Sequence, residues 1–97
     1  MNEKEMFEKS KELWGLQSQL LMLAEEAGEL SVATLHLVRA NKDRAEAWEN
    51  FSEEIADVEF MIAEMKEYFT ILQVKVDLYR KIKEERLEKL LNDERVK

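Results

Sequence analysis

The chain has no cysteine, no proline, two glycines (Gly15 and Gly28) and one histidine, His36. Without cysteine there is no disulfide framework and no zinc–thiolate site. Strand-rich small domains need many turns, and turns draw on Gly and Pro. Their scarcity predicts an all-α fold with few connections. The longest apolar stretch, Leu16 to Val38, is interrupted by Glu25, Glu26 and Glu29. A membrane-spanning reading would put three carboxylates in the bilayer core, at a cost of several kcal/mol each, and is rejected. The N-terminal run MNEKEMFEKSKEL is charged throughout, so no signal peptide is expected and the cytoplasm is the expected location. The 15 Lys and Arg are outnumbered by 22 Asp and Glu. The net charge is −7, which disfavours nucleic acid and anionic membranes as partners.

The chain's 97 residues read as one domain, 1–97. A chain this short buries about 60–65% of the surface it exposes when unfolded. Its core is therefore modest, and self-association is a natural supplement. Hydrophobic residues make up 45% of the chain, which argues against disorder.

The apolar spacing predicts four helices. The first spans residues 2–13, with Met6 and Leu13, and also Phe7 and Trp14, on its apolar side; Gly15 is its expected stop. The second runs from Leu16 to Arg39 and is apolar all round, the pattern of a buried helix. Asp43 is a candidate N-cap for the third, at 44–69, with a break expected near Asn50 to Ser52. Thr70 and Ile71 read as a short connection to a fourth helix at 72–93. Together these predict an antiparallel four-helix bundle, completed by oligomerisation. Trp14 reads as a core anchor at the helix junction in preference to a base-stacking platform, Trp48 is expected to pack, and Met6, Met22, Met61 and Met65 are expected to fill gaps in the core.

The charge pattern is anomalous. Between Lys11 and Arg39 there is no Lys or Arg, yet Glu25, Glu26 and Glu29 sit close together. Between Arg44 and Lys66 there is again no basic residue, against seven acids. Carboxylates at i, i+1 and i+4 on a helix repel, by a few tenths of a kcal/mol per close pair. In apolar surroundings they also lose solvation. Glu26 and Glu29 are i, i+3, and so are Glu54 and Asp57. Each pair therefore shares a helical face. If those faces oppose, four carboxylates converge, and hard oxygen ligands suit Mg²⁺ or Mn²⁺. A di-iron site would want Glu-x-x-His pairs, and His36 is not at that spacing. The plainer alternative is that the acids form solvated faces.

EEAGE at 25–29 followed by EIAD at 54–57, with 24 residues between Glu29 and Glu54, resembles the EExxE…ExxD signature of the MazG-like all-α NTP pyrophosphohydrolases. Gln19 resembles a glutamine often found before the first motif. KEERLEKL, which contains Lys83 and Arg86, is similar to the family's closing element. The resemblance covers about residues 14–91. It implies Mg²⁺-dependent hydrolysis of a nucleoside triphosphate between the α and β phosphates, giving a monophosphate and pyrophosphate. House-cleaning of non-standard or excess (d)NTPs is one role it admits.

It also implies Glu26, Glu29, Glu54 and Asp57 as metal ligands. Glu25 is then the choice for activating water, with Glu53 the other candidate. Lys83 and Arg86 are candidate clamps for the outer phosphates, or else make ion pairs on a wet helix. Gln19 is a candidate contact to sugar or base, or a buried amide. His36 is a candidate base contact, or an exposed residue favourable with the helix dipole. Gly28 suits either the approach of a ligand or tight helix packing. A homodimer or homotetramer is the expected assembly. Two rivals are weighed. A phosphoribosyl-ATP pyrophosphohydrolase of histidine biosynthesis would be expected to carry a histidine soon after Asp57, and VEFMIAEM has none. The other rival is a non-catalytic acidic helical interaction module.

Overall fold

The computed structural model describes residues 1–42 and 44–93; the expected cap Asp43 lies outside them. The described residues are all-helical, with four helices and no strand: α1 (Glu3–Trp14), α2 (Leu16–Arg39), α3 (Arg44–Tyr68) and α4 (Thr70–Leu91). None is long and apolar enough to cross a membrane.

Two of the three joints are one residue long. Gly15 ends α1 and begins α2 with φ at +83°, a conformation that favours glycine, and its N–H donates to the Lys11 carbonyl. Phe69 separates α3 from α4 in an extended conformation, so the second joint comes one residue earlier than the Thr70–Ile71 pair. Asn2 lies before α1 rather than within it. Its Oδ1 accepts from the Glu5 backbone N–H at 2.8 Å, which satisfies one of the free donors of the first turn. The expected break near Asn50 is absent. Ser52 donates its hydroxyl to the Trp48 carbonyl at 2.7 Å, so α3 absorbs the serine without a cap.

The core is small and lies where α1, α2 and α3 meet. Its buried apolar residues are Phe7, Ala33, Leu37, Met61 and Met65. Phe7 meets Phe60 edge-on at 5.1 Å between ring centres. The face of α1 that packs is therefore that of Phe7, while Met6, Leu13 and Trp14 are exposed. Trp14 is not a core anchor. Trp48 is half exposed and meets the Phe51 ring edge-on. Of the four internal methionines, Met61 and Met65 fill the core, whereas Met6 and Met22 do not. α2 is not buried all round. Only Gln19, Ala33 and Leu37 are, and Val38 is 77% exposed. α4 buries none of its residues.

A polar tie fastens α1 to α3. The Tyr68 hydroxyl lies 2.6 Å from the Phe7 carbonyl and also bonds to the carboxyl of Glu64, which is 3% exposed. Burial and the Glu64 contact push the Tyr68 hydroxyl pKa up, because both disfavour the phenolate. Lys11 sits over the Tyr68 ring, 5.3 Å from its centre, and Lys4 pairs with Glu67 at 3.9 Å.

Candidate metal centre

Three of the expected ligands converge. One carboxylate oxygen from each of Glu26, Glu29 and Glu54 lies within 4.8 Å of the others. α2 supplies the first two because i, i+3 residues share a face. α3 supplies the third through its packing on α2. Asp57, one turn along α3 from Glu54, acts electrostatically on both Glu26 and Glu54 and borders a cavity with Glu26. It stands beside the trio rather than within it.

The electrostatics mark the cluster as short of positive charge. Among the described residues, no Lys or Arg pairs with any of these four acids. One oxygen of Glu26 and one of Glu54 are buried without a hydrogen-bond partner. Burial, then the charges of Glu29, Asp57 and Glu54, push the Glu26 carboxyl up to about 7. Burial and the Glu29 charge also raise Glu54. Glu26 and Glu54 thus hold a proton more readily than a free carboxyl does when no cation is present. Carboxylates held this way favour any cation that replaces the proton, and an all-oxygen set suits a hard divalent ion.

Two cavities flank the cluster along α2 and α3. One, of about 270 Å³, is bordered by Ser10 and Trp14 of α1, by Gln19 and Glu26 of α2, and by Asp57, Phe60 and Glu64 of α3. Gln19 is 3% exposed, and its Nε2 has no partner. A buried amide donor with nothing to donate to is costly, and the residue that carries it lines this cavity. The other cavity, of about 470 Å³, has Glu25, Glu29 and Glu54 at one end and His36 and Asn50 at the other. Glu25 is exposed there, as is His36, which also borders the neighbouring hollow with Asn50 and Lys42. Glu53 is exposed and borders neither cavity. Lys83 and Arg86 lie exposed on α4 and border neither cavity.

Sequence reasoning missed Asn50 and Glu64 as cavity residues. Asn50 lies seven residues before Asp57 and four before Glu54, so helical spacing would have placed it on the ligand face. Glu64 carried a weaker signal, as the acid seven residues beyond Asp57. Gly28 borders the larger cavity, and a methyl group added there would meet nothing within 4 Å. Packing within the chain therefore does not explain that glycine. No family model, curated protein or solved structure matches the chain.

Proposed function

We propose that the protein is a Mg²⁺-dependent nucleoside triphosphate pyrophosphohydrolase of the MazG-like superfamily. In this reading it is an antiparallel helical bundle that works as a homo-oligomer. The observation that carries it is the convergence of Glu26, Glu29 and Glu54 without a basic partner, with Asp57 beside them and two carboxylate oxygens buried and unpaired. Antiparallel packing has its own support. Going up α2 from Gln19 to Glu29 to His36, the cavity partners on α3 go down, from Glu64 to Glu54 to Asn50.

Glu26, Glu29, Glu54 and Asp57 would hold the metal. Bound there, Mg²⁺ or Mn²⁺ supplies neutralisation of phosphate oxygens and of the charge on departing pyrophosphate. Glu25, exposed at the edge of the cluster, takes a proton from the attacking water. Gln19 offers its free amide donor to the sugar or base, and His36 borders the opposite cavity as a second contact. Lys83 and Arg86, on α4 and bordering neither cavity, are left out of this chain's own site. Water adds across the α–β anhydride, and the products are a nucleoside monophosphate and pyrophosphate.

The test is a screen of ordinary and modified triphosphates with Mg²⁺ or Mn²⁺, reading released pyrophosphate, beside thermal melts with and without the metal. Cleavage to monophosphate is expected, with a higher melting temperature in metal. A metal that binds while every triphosphate stays intact would sink the catalytic reading. A metal that neither binds nor stabilises would sink the site itself.

A further inference from the structure

We infer that the cavity bordered by Gln19 and Glu64 takes the base of the nucleotide, and that Glu64 selects bases bearing an exocyclic amino group over their oxo counterparts. That assignment deepens the nucleotide reading above, on which it rests for its ligand, and uses none of the hydrolytic step. The cavity of about 270 Å³ lies beside the carboxylates, since Glu26 and Asp57 border it as well. Pockets for whole drug-sized ligands hold about 300–1,000 Å³. This one therefore has room for a single heterocycle, with the phosphates left outside it near the metal.

The walls suit a flat ring. Trp14 and Phe60 are aromatic, and Met22 and Met61 are thioethers. Phe60 is held by its edge-on contact with Phe7. Trp14 is 61% exposed, so its indole is not used up by packing and can stack on a base. A ribose, hydroxylated on most of its edge, gains little from such walls.

Two polar residues on the same cavity are buried, and each has hydrogen-bonding capacity left over. Gln19 is 3% exposed, and its Nε2 has no partner. Glu64 is also 3% exposed. The Tyr68 hydroxyl bonds to its Oε2, and among the described residues its Oε1 has no hydrogen bond. Tyr68 is itself fixed by the Phe7 carbonyl, 2.6 Å away. The Glu64 carboxyl is thus held by the tie between α1 and α3.

The two side chains play different parts. An amide both donates and accepts, and can turn to suit any base edge. A carboxylate only accepts. It pairs with an amino group, the pattern by which Glu and Asp read N4 of cytosine. Facing uracil it meets the O4 carbonyl in place of that amino group, and two acceptors cannot bond. The same holds for the 6-amino group of adenine against the 6-oxo group of hypoxanthine. With a cation on Glu26 and Asp57, Glu64 is the acid left on this cavity to make the choice. Among the described residues, no Lys, Arg or His borders it to favour a carbonyl.

The experiment compares matched triphosphates that differ in that one group, CTP with UTP and ATP with ITP, in Mg²⁺. Two quantities are measured: kcat/KM from released pyrophosphate, and Kd by calorimetry for the non-cleavable α,β-methylene analogues. The amino member is expected to be favoured at least about 10-fold in both. Glu64→Gln supplies an amide that serves either group, and the preference should shrink to about twofold or less. Gln keeps an acceptor for the Tyr68 hydroxyl, so α1 should stay tied to α3. A ratio between two substrates does not depend on the fraction of protein folded, so a merely structural role for Glu64 would leave it unchanged. Gln19→Met should weaken both analogues of a pair together, by about 10-fold in Kd.

Equal handling of the two members, or preference for the oxo member, overturns the inference and leaves the hydrolytic reading standing. A preference that survives Glu64→Gln overturns Glu64 as the selector. If Glu64→Gln does not fold, Gln19→Met decides, and unchanged affinity for both analogues removes this cavity as the base site. If no triphosphate is cleaved but the cytidine analogue outbinds the uridine one, the catalytic reading fails and the base site stands. If neither analogue binds, the base site fails too.

Discussion

The two flanks of α3 differ in what they leave unsatisfied. Towards α1 and the carboxylates, polar side chains are buried among apolar ones. There Gln19, Glu26 and Glu54 keep buried atoms without partners. Towards α4, a groove between α2 and α4 is wholly apolar, and α4 has no buried residue. The first flank lacks a charge and a hydrogen-bond acceptor, which small ligands supply. The second leaves apolar area uncovered. Within one short chain, unpaired buried polar atoms and an uncovered apolar groove thus coexist, and they respond to different perturbations.

The largest expected effect falls on the first flank. Glu54→Gln keeps the shape and removes the charge, and pyrophosphate release should drop at least about 100-fold, the upper end of what loss of a supporting partner of a metal ligand costs. Glu49→Gln, exposed on α3 outside the cluster, should leave turnover unchanged. Equal losses in both would dissolve the distinction between cluster and solvated face. A far-UV spectrum of each variant checks that α3 is intact.

Metal and pH should separate the flanks next. Glu26 is raised from 4.5 to about 7 in the metal-free fold. A raised carboxyl favours the fold while it is protonated, so this contribution is complete below the unfolded value and fades as pH rises through about 7. The metal-free protein should therefore melt higher near pH 5.5 than near pH 8, as far as Glu26 decides it. Added Mg²⁺ should do the reverse, because the proton and the cation compete for the same oxygens. Its stabilisation should be several degrees near pH 8, at about 4–8 °C per kcal/mol for a chain of this size, and near zero at pH 5.5. A Mg²⁺ effect that is as large in acid would move the binding away from Glu26.

Tyr68→Phe is expected to cost about 1–3 kcal/mol in urea unfolding, because it leaves the buried Glu64 carboxyl and the Phe7 carbonyl without the hydroxyl. The variant should loosen α1 on α3.

The smallest effects come from the two glycines. Gly15→Ala should destabilise by about 1 kcal/mol, because φ there is positive. Gly28→Ala has room and should stabilise the dilute, metal-free chain by up to about 1 kcal/mol. If Gly28→Ala also weakens assembly or turnover, the position is kept open for something outside the chain.

Much of the fold was legible in residue order. The helices fall where apolar spacing, Gly15 and the polar run at 40–43 put them, because those are local preferences. The pairing of Glu26 with Glu29 was legible for the same reason, as helical spacing alone puts both on one face. Local pattern did not reveal which apolar side chains are covered. Leu13, Trp14 and Val38 read as core residues and are exposed, while Phe7 alone anchors α1. Glu64 read as one acid among many, and its burial depends on Tyr68 and on a carbonyl 57 residues earlier in the chain.

The sequence by itself determined four helices, the joint at Gly15 and a set of acids without basic neighbours, since these follow from spacing and composition within a turn or two of helix. Only the tertiary structure decided that Glu54 of α3 meets Glu26 and Glu29 of α2, that Gln19 is buried with a free donor, and that α4 stands apart from α2 across an apolar groove. Contacts between helices depend on how their faces are rotated and offset. Many such arrangements bury similar apolar area, so the local pattern does not choose among them.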